Sequence, residues 1–234
     1  MNRVNSHSIL SSFLSLVGAS FILAGCAANS FTYKDFPVSK GSAAAGAGST
    51  VAFKGSPLKL EGNPIKVGDT LRDALVATGD LKLVSLTEGK GKVRIISIVP
   101  SLDTKVCEQQ THFLSEKNRG LDREVQLITV SVDTPFAQKR FAEEANIRNV
   151  TFLSDYRGGD FGRAFGLLIP DIHLLARSVM VVDKDNVIRY LQVVPELASM
   201  PDMERAFEEA RKVAGLPPPA SPMSSSSGSM GGGY

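Results

Sequence analysis

Pro100, Thr104 and Cys107 stand within one short stretch of the chain, and their types and spacing are suited to chemistry. The stretch follows an apolar run, residues 93–99, and leads into a segment with the character of a helix. A thiol in the first turn of a helix lies near unpaired backbone N–H groups and the positive end of the helix dipole, which favour the thiolate. A thiolate so placed is a nucleophile that can be oxidised to sulfenic acid. The pattern therefore indicates a reactive cysteine at position 107.

The same residues have plainer interpretations. A lone cysteine beside an apolar strand is more often an inert buried side chain than a nucleophile, and Thr104 is equally suited to be only the N-cap of the helix. In the loop between such a strand and helix, thioredoxin-like reductases carry two cysteines separated by two residues. The first cysteine attacks, and the second resolves the mixed disulfide that the first has formed. Thr104 occupies the first of these positions, so we expect no disulfide within this motif.

The segments around Cys107 alternate between strand and helix patterns. Residues 93–99 and 125–132 are apolar and rich in β-branched side chains, as in strands buried on both faces of a sheet. Helices are predicted from Lys105 to the stop signal at residues 118–120, and again from residues 133–135, where a proline suits the first helical position. This alternation predicts two parallel strands, with the thiol at the start of the first helix.

The second half of the domain has a different order. Residues 178–182 and 187–194 are predicted strands joined by a turn-forming cluster, which indicates an antiparallel hairpin. A helix over residues 202–214 follows, and glycine and proline punctuation within residues 51–67 predicts an N-terminal β-hairpin. A βαβ half followed by a ββα half predicts an α/β protein of thioredoxin-like fold, with a central mixed sheet flanked by helices.

Composition limits the chain to one substantial core. It has 234 residues, of which 43% are hydrophobic and 21% charged, and this size favours one domain with appendages over two domains. The net charge is +2, and the basic residues are scattered along the chain rather than clustered. We therefore expect no nucleic acid among its partners.

The N-terminal segment has the features of a bacterial secretory signal. Arg3 precedes an apolar stretch over residues 9–23, which is too short and too serine-rich to favour a membrane-spanning helix. Leu23-Ala24-Gly25-Cys26 resembles the lipobox of bacterial lipoproteins, in which the cysteine is lipidated and becomes the mature N-terminus. The alternative is an ordinary cleaved signal that happens to contain a cysteine. The lipoprotein interpretation predicts a domain anchored through Cys26 to a membrane of the cell envelope.

Four regions follow from these patterns. Residues 1–25 are the predicted lipoprotein signal peptide, and residues 26–50, with the lipidated cysteine, are rich in Ala, Gly and Ser and are predicted to be a flexible tether. Residues 51–215 are the predicted folded domain. Residues 216–234 have the Pro, Ser and Gly composition of a disordered tail.

The stretch from Pro100 to Cys107 resembles the peroxidatic loop of peroxiredoxins, with proline, threonine and cysteine at the spacing of that family. More narrowly, the folded domain is similar to bacterial thiol peroxidases. The similarity extends to three further segments, residues 53–57, 133–141 and 175–179.

The resemblance implies a role for each site residue. Cys107 would be the peroxidatic cysteine that attacks the peroxide, Thr104 would orient the peroxide, and Pro100 would shield the sulfur from water. Arg177 would stabilise the thiolate and donate to the peroxide oxygens. Without the resemblance, an arginine at the start of an apolar strand would be interpreted as a surface residue.

The chain departs from the family where turnover is concerned. Thiol peroxidases commonly carry a resolving cysteine after the Arg-Phe pair of the second helix, but here Ala142 follows that pair. With Cys26 lipidated, no internal thiol would remain for Cys107. We therefore predict a one-cysteine mechanism, in which a thioredoxin-like protein or a small thiol reduces the oxidised enzyme.

Other expectations complete the prediction. The resemblance implies a peroxide substrate and a homodimer, and no cofactor. His112 and His173 lack partners at metal-ligand spacing, and His7 lies in the signal, so we expect no metal site. The alternative to a peroxidase is a redox-sensing or binding lipoprotein derived from a peroxiredoxin, which Ala142 favours because oxidised Cys107 would lack its usual partner.

Overall fold

The computed structural model describes residues 31–219. The predicted signal peptide, Cys26 and residues 220–234 of the predicted tail lie outside the described residues. Within the described range, no helix is long and apolar enough to cross a membrane.

Eleven strands, four helices and two short 3-10 turns form the described part of the chain. The strands are β1 (Thr50–Phe53), β2 (Ser56–Lys59), β3 (Leu75–Ala77), β4 (Leu83–Ser85), β5 (Val93–Ile98), β6 (Val125–Ser131), β7 (Val150–Ser154), β8 (Leu168–Ile169), β9 (Leu174–Leu175), β10 (Ser178–Val182) and β11 (Ile188–Val193). The helices are α1 (Lys105–Glu116), α2 (Pro135–Glu144), α3 (Asp160–Ala164) and α4 (Met203–Val213).

Seven of the strands form the central sheet, in the order β11-β10-β5-β6-β7-β3-β4. Strands β5, β6 and β7 are parallel, and the remaining pairs are antiparallel. Strands β1 and β2 form a separate antiparallel hairpin near the N-terminal end of the domain. This architecture confirms the predicted α/β fold, with a central mixed sheet and an N-terminal β-hairpin.

Strand β5 is buried on both faces, as its mostly apolar and β-branched sequence predicts. Ile96 and Ile98 face one core cluster together with Phe161 of α3. Val93 and Ile95 face the other, which includes side chains of α1 and α4. Helices thus cover both faces of the sheet, and the end of β5 enters the loop that carries Cys107.

The prediction of a flexible tether up to residue 50 is wrong for residues 31–50, which lie against the folded domain. The backbone N–H of Ala43 donates to Val193, and that of Gly46 donates to Gly166, both at 2.8 Å. A Cβ at Gly46 would lie 2.7 Å from the backbone of Pro64. Small residues here permit close approach to the domain, although their composition is also typical of flexible linkers.

Several elements between the predicted ones were not anticipated from the sequence, namely β3, β4, β7, α3 and the β8–β9 pair. They are short, and β3 and β7 share a single paired position, Ala77 with Ser154. Short elements with few pairings leave little periodic signal in a sequence. Strands β7, β3 and β4 extend the sheet beyond β6, whereas α3 and the β8–β9 pair contribute side chains to one of the core clusters.

Candidate active site

The loop between β5 and α1 is held in place by a carboxylate of the next strand's loop. Asp133 accepts hydrogen bonds from the Ser101 hydroxyl at 2.8 Å and from the Leu102 backbone N–H at 2.7 Å. Because β5 and β6 are adjacent and parallel, the loops that follow them meet at the same edge of the sheet. Sequence analysis missed Asp133, although its position directly after a predicted parallel strand was an available signal.

Cys107 lies in the first turn of α1, where the sequence placed it. Its side chain has 0% exposure and packs with Val99 and Leu102, flanked by Phe141 and Phe152. The Thr104 hydroxyl donates to Cys107 Sγ at 2.9 Å. Thr104 is the N-cap residue of α1, but its side chain caps no backbone N–H of the helix. Its hydroxyl is therefore directed to the thiol and to the Ser101 carbonyl, which lies at 3.2 Å.

Arg177 reaches the same sulfur from the loop before β10. Its Nη2 donates to Cys107 Sγ at 3.4 Å, its Nη1 donates to Gln110 Oε1 at 2.8 Å, and its Nε donates to the Leu197 carbonyl at 2.9 Å. The side chain is only 2% exposed, so it is not the surface residue of the alternative interpretation. The two hydrogen bonds to Gln110 and Leu197 hold the guanidinium plane against the sulfur.

Gln110 fixes the orientation of that guanidinium, and sequence analysis missed it. It lies on α1 one turn beyond Cys107 and is fully buried. Its Nε2 donates to the Ser97 hydroxyl at 2.8 Å, which leaves Oε1 free to accept from Arg177. The three-residue spacing from Cys107 places both side chains on one face of the helix, and this was the signal available in the sequence.

A cavity of about 440 Å³ opens beside these residues. Pro100, Thr104 and Arg177 line one wall, and the other walls are mostly apolar side chains. They are Phe36, Phe53, Val106, Ile172, Leu174 and Leu197. Cys107 itself is buried, but Thr104 and Arg177 both contact its sulfur and line the cavity, so a molecule in the cavity meets these two donors close to the thiol. The structure thus brings together the four site residues predicted from the sequence.

Glu196 clips the N-terminal hairpin to the wall of this cavity. Its carboxylate accepts from the backbone N–H groups of Lys54, Gly55 and Ala198 at 2.9 to 3.0 Å. Partial burial acts to raise the pKa of Glu196, but the three N–H donors outweigh it and hold the pKa below its usual value. The clip keeps Phe53 next to the cavity.

Ala142 lies on α2, beside Phe141, which packs against the Cys107 cluster. Cys107 is the free cysteine of the described residues, and none of them supplies a second thiol. Within residues 31–219, no three His, Cys, Asp or Glu side chains come together as metal ligands would. His112 instead lies 2.7 Å from Glu116 through its Nδ1.

Comparisons with known proteins place this geometry in a family. The Redoxin family model matches residues 66–207. Thiol peroxidases of Halalkalibacterium halodurans and Streptococcus pneumoniae are 44% and 45% identical over 145 residues, which is 62% of this chain and 87% and 88% of those proteins. The chain belongs to the thiol peroxidases of the peroxiredoxin family.

A solved structure supports the same assignment. The peroxiredoxin-like protein from Aquifex aeolicus has a TM-score of 0.66 and 40% sequence identity, over 70% of this chain and 96% of that one. The match therefore spans almost the whole of that relative. As a member of the family, the chain is a peroxiredoxin-type peroxidase.

Proposed function

We propose that this thiol peroxidase reduces hydrogen peroxide and organic hydroperoxides with Cys107 as its single catalytic thiol. The observation that supports this most strongly is the pair of donors on one sulfur, the Thr104 hydroxyl at 2.9 Å and the Arg177 guanidinium at 3.4 Å. Both line the cavity, and both favour a negative charge on the sulfur and on the oxygens in contact with it. The mostly apolar walls are suited to the alkyl group of an organic hydroperoxide.

In the oxidative step, the Cys107 thiolate attacks the terminal oxygen of the peroxide. The sulfur–oxygen bond forms as the oxygen–oxygen bond breaks, so that sulfur becomes sulfenic acid and the departing oxygen leaves as an alkoxide or hydroxide. That anion takes up a proton and is released as an alcohol or as water. Arg177 stays charged throughout and stabilises the negative charge that passes from sulfur to oxygen. Pro100 limits the access of water to the sulfur.

In the reductive step, an external thiol attacks the sulfenic acid on Cys107. This forms a mixed disulfide and releases water, and a second thiol then releases Cys107 as a thiol and leaves as the disulfide of the reductant. Ala142, at the position where the family commonly carries its resolving cysteine, supports a cycle without an internal disulfide. The external thiol is that of a thioredoxin-like protein or of a small molecule.

The proposed location is the bacterial cell envelope, facing the periplasm or on the outer membrane. Its support is the sequence Leu23-Ala24-Gly25-Cys26, which suits lipidation at Cys26. Several acyl chains on one terminus bind a membrane stably, whereas one chain binds only reversibly. Metabolic labelling with a fatty acid, compared between the native chain and Cys26→Ser, tests the anchor, and equal labelling would overturn it.

The family suggests a homodimer, which light scattering would test.

A second candidate is a redox sensor that is oxidised at Cys107 without catalytic cycling. Ala142 favours it, because an oxidised Cys107 has no partner thiol within the described part of the chain. The two candidates agree on the oxidative step. They differ in whether a thiol returns Cys107 to its reduced form quickly enough for turnover.

Peroxide consumption by residues 27–234 in the presence of dithiothreitol separates these functions. The peroxidase proposal predicts many turnovers by the native sequence and a rate lower by at least about a thousandfold in Cys107→Ser, because the nucleophile is lost. Equal, slow rates of peroxide consumption in both proteins would overturn the proposed peroxidase function. Oxidation of Cys107 that stops after one equivalent of peroxide would instead favour the sensor.

A further inference from the structure

The first described residues of the chain form a segment that runs along the helix of the reactive cysteine. We call residues 31–36 the brace. Its main chain pairs with a side chain of α1: the Lys34 N–H donates to Gln109 Oε1 at 2.6 Å, and Gln109 Nε2 donates to the Lys34 carbonyl at 2.9 Å. Gln109 is only 6% exposed and lies two residues after Cys107. The brace therefore holds the turn that follows the thiol.

Aromatic contacts extend this hold along the helix. The Phe31 ring stacks on His112 with centroids 3.9 Å apart and an interplanar angle of 13°. The Tyr33 hydroxyl donates to Glu116 at 2.8 Å, and the Lys117 ammonium lies 4.8 Å from the centre of the Tyr33 ring. The brace thus contacts α1 from its second turn to its end, and its last residue, Phe36, reaches the cavity that Thr104 and Arg177 line.

The ring stack also leads back to the thiol. The His112 ring lies 6.4 Å from Phe141, which in turn lies 6.0 Å from Phe152, and both phenylalanines pack with Cys107. Phe31 is therefore the outer member of a row of rings that ends at the reactive sulfur. Removing it would loosen α1 where the helix meets α2 and β7.

We propose that the brace positions α1 and thereby limits how fast an external thiol reduces oxidised Cys107. The inference rests on the proposed one-cysteine cycle. A mixed disulfide needs the Cβ atoms of its two cysteines about 3.5 to 4.5 Å apart, with a torsion near 90°. Cys107 has no exposed surface, so a thiol reaches that geometry only when the first turns of α1 move. The brace opposes that movement.

The oxidative step does not require the same movement. A peroxide is small enough to enter the cavity and meet Thr104 and Arg177, which are held by Ser101, Gln110 and Leu197 rather than by the brace. Loosening the brace should therefore change the two half-reactions differently. A merely structural role for the brace would slow both.

The test compares Phe31→Ala/Tyr33→Ala with the native sequence in residues 27–234. Rapid-quench mass spectrometry follows the formation of sulfenic acid on Cys107 with peroxide, and then its loss with glutathione. We expect reduction about three- to tenfold faster in the variant, which lacks the stack and one hydrogen bond. We expect oxidation to change by less than about twofold, because the donors to the sulfur are retained.

Two controls accompany this variant. Lys40→Ala removes a salt bridge that lies outside the brace and joins Lys40 to Asp202, the N-cap residue of α4, so it should alter neither half-reaction. Phe31→Tyr keeps a ring on His112 and should retain the native reduction rate, whereas Phe31→Ala, which removes the ring, should be reduced faster. Amide hydrogen exchange should be faster across α1 in the double variant and unchanged in β6.

The outcomes are distinct. Unchanged reduction in the double variant, or a parallel fall in both half-reactions, would overturn the role of the brace while leaving the peroxidase intact. A native Cys107 that does not react with peroxide would overturn the proposed function and this inference together. Faster reduction with unchanged oxidation is the result that the brace predicts.

Discussion

On one side of Cys107, Thr104 and Arg177 direct two donors to the sulfur, whereas on the other side Phe141 and Phe152 pack against it and no second thiol is described. The first side has what is needed to stabilise charge as a peroxide bond breaks. The second side offers only apolar contact to the sulfenic acid that results. In the proposed one-cysteine cycle, the described residues support the oxidative half, and an outside thiol supplies the other half.

The two sides of Cys107 differ most directly in that the side of Phe141 and Phe152 has no thiol, and a cysteine introduced there would remove this difference. In Ala142→Cys, we expect peroxide to convert Cys107 and the new cysteine into an internal disulfide, because a tethered thiol acts at a far higher effective concentration than a free one. Intact-mass measurement would show the loss of two hydrogens instead of one added oxygen. Ala137→Cys, elsewhere on α2, is the matched control. Persistent sulfenic acid in Ala142→Cys would show that a thiol at position 142 does not reach Cys107.

The charged donor should have the next largest effect. We expect Arg177→Met to lower the second-order rate of Cys107 oxidation by about a hundred- to a thousandfold, the usual cost of removing a group that stabilises transition-state charge. Arg177→Lys keeps the charge but loses the guanidinium fork that bonds Gln110 and Leu197. Its oxidation rate should lie between the native rate and that of Arg177→Met. An oxidation rate in Arg177→Met equal to the native rate would contradict the role of Arg177.

The Thr104 hydroxyl should matter somewhat less. We expect Thr104→Val to lower the same rate about ten- to a hundredfold, because a hydrogen bond to a charged sulfur is lost without a change in shape. Thr104→Ser retains the hydroxyl and should stay close to the native rate. Equal rates in the valine and serine variants would mean that Thr104 acts only at the start of the helix.

The smallest effect expected at the site is that of Gln110, which acts through Arg177. We expect Gln110→Met to lower the oxidation rate by about three- to tenfold, because Arg177 loses one of its three hydrogen bonds. Gln126→Met on β6, away from the sulfur, is the matched control. The charge on Arg177 is retained in Gln110→Met, so a loss as large as that of Arg177→Met would point to a collapse of the site.

Much of the fold could be predicted because its signals are local. The mostly apolar, β-branched runs of β5 and β6, and the proline at the first position of α2, were sufficient to place the parallel strands and the thiol. The four candidate site residues, which the structure brings together, could be named because the loop from Pro100 to Cys107 and the segment with Arg177 resemble a known family.

What the sequence did not predict depends on contacts between distant residues. Gln110 and Arg177 are 67 positions apart, and Lys34 and Gln109 are 75 apart, so no local pattern connects them. The tether was mispredicted because alanine, glycine and serine are typical both of flexible linkers and of segments that pack closely on a domain. Asp133 was missed because its role depends on which loops meet at the sheet edge.

The proposed cycle depends most on a single thiol that is oxidised without an internal partner. The decisive measurement is the intact mass of residues 27–234 after one equivalent of peroxide, with and without a sulfenic acid trap and with peptide mapping. We predict one added oxygen, located on Cys107 and captured by the trap. An unchanged mass with an accessible thiol, or a disulfide within the chain, would contradict the account.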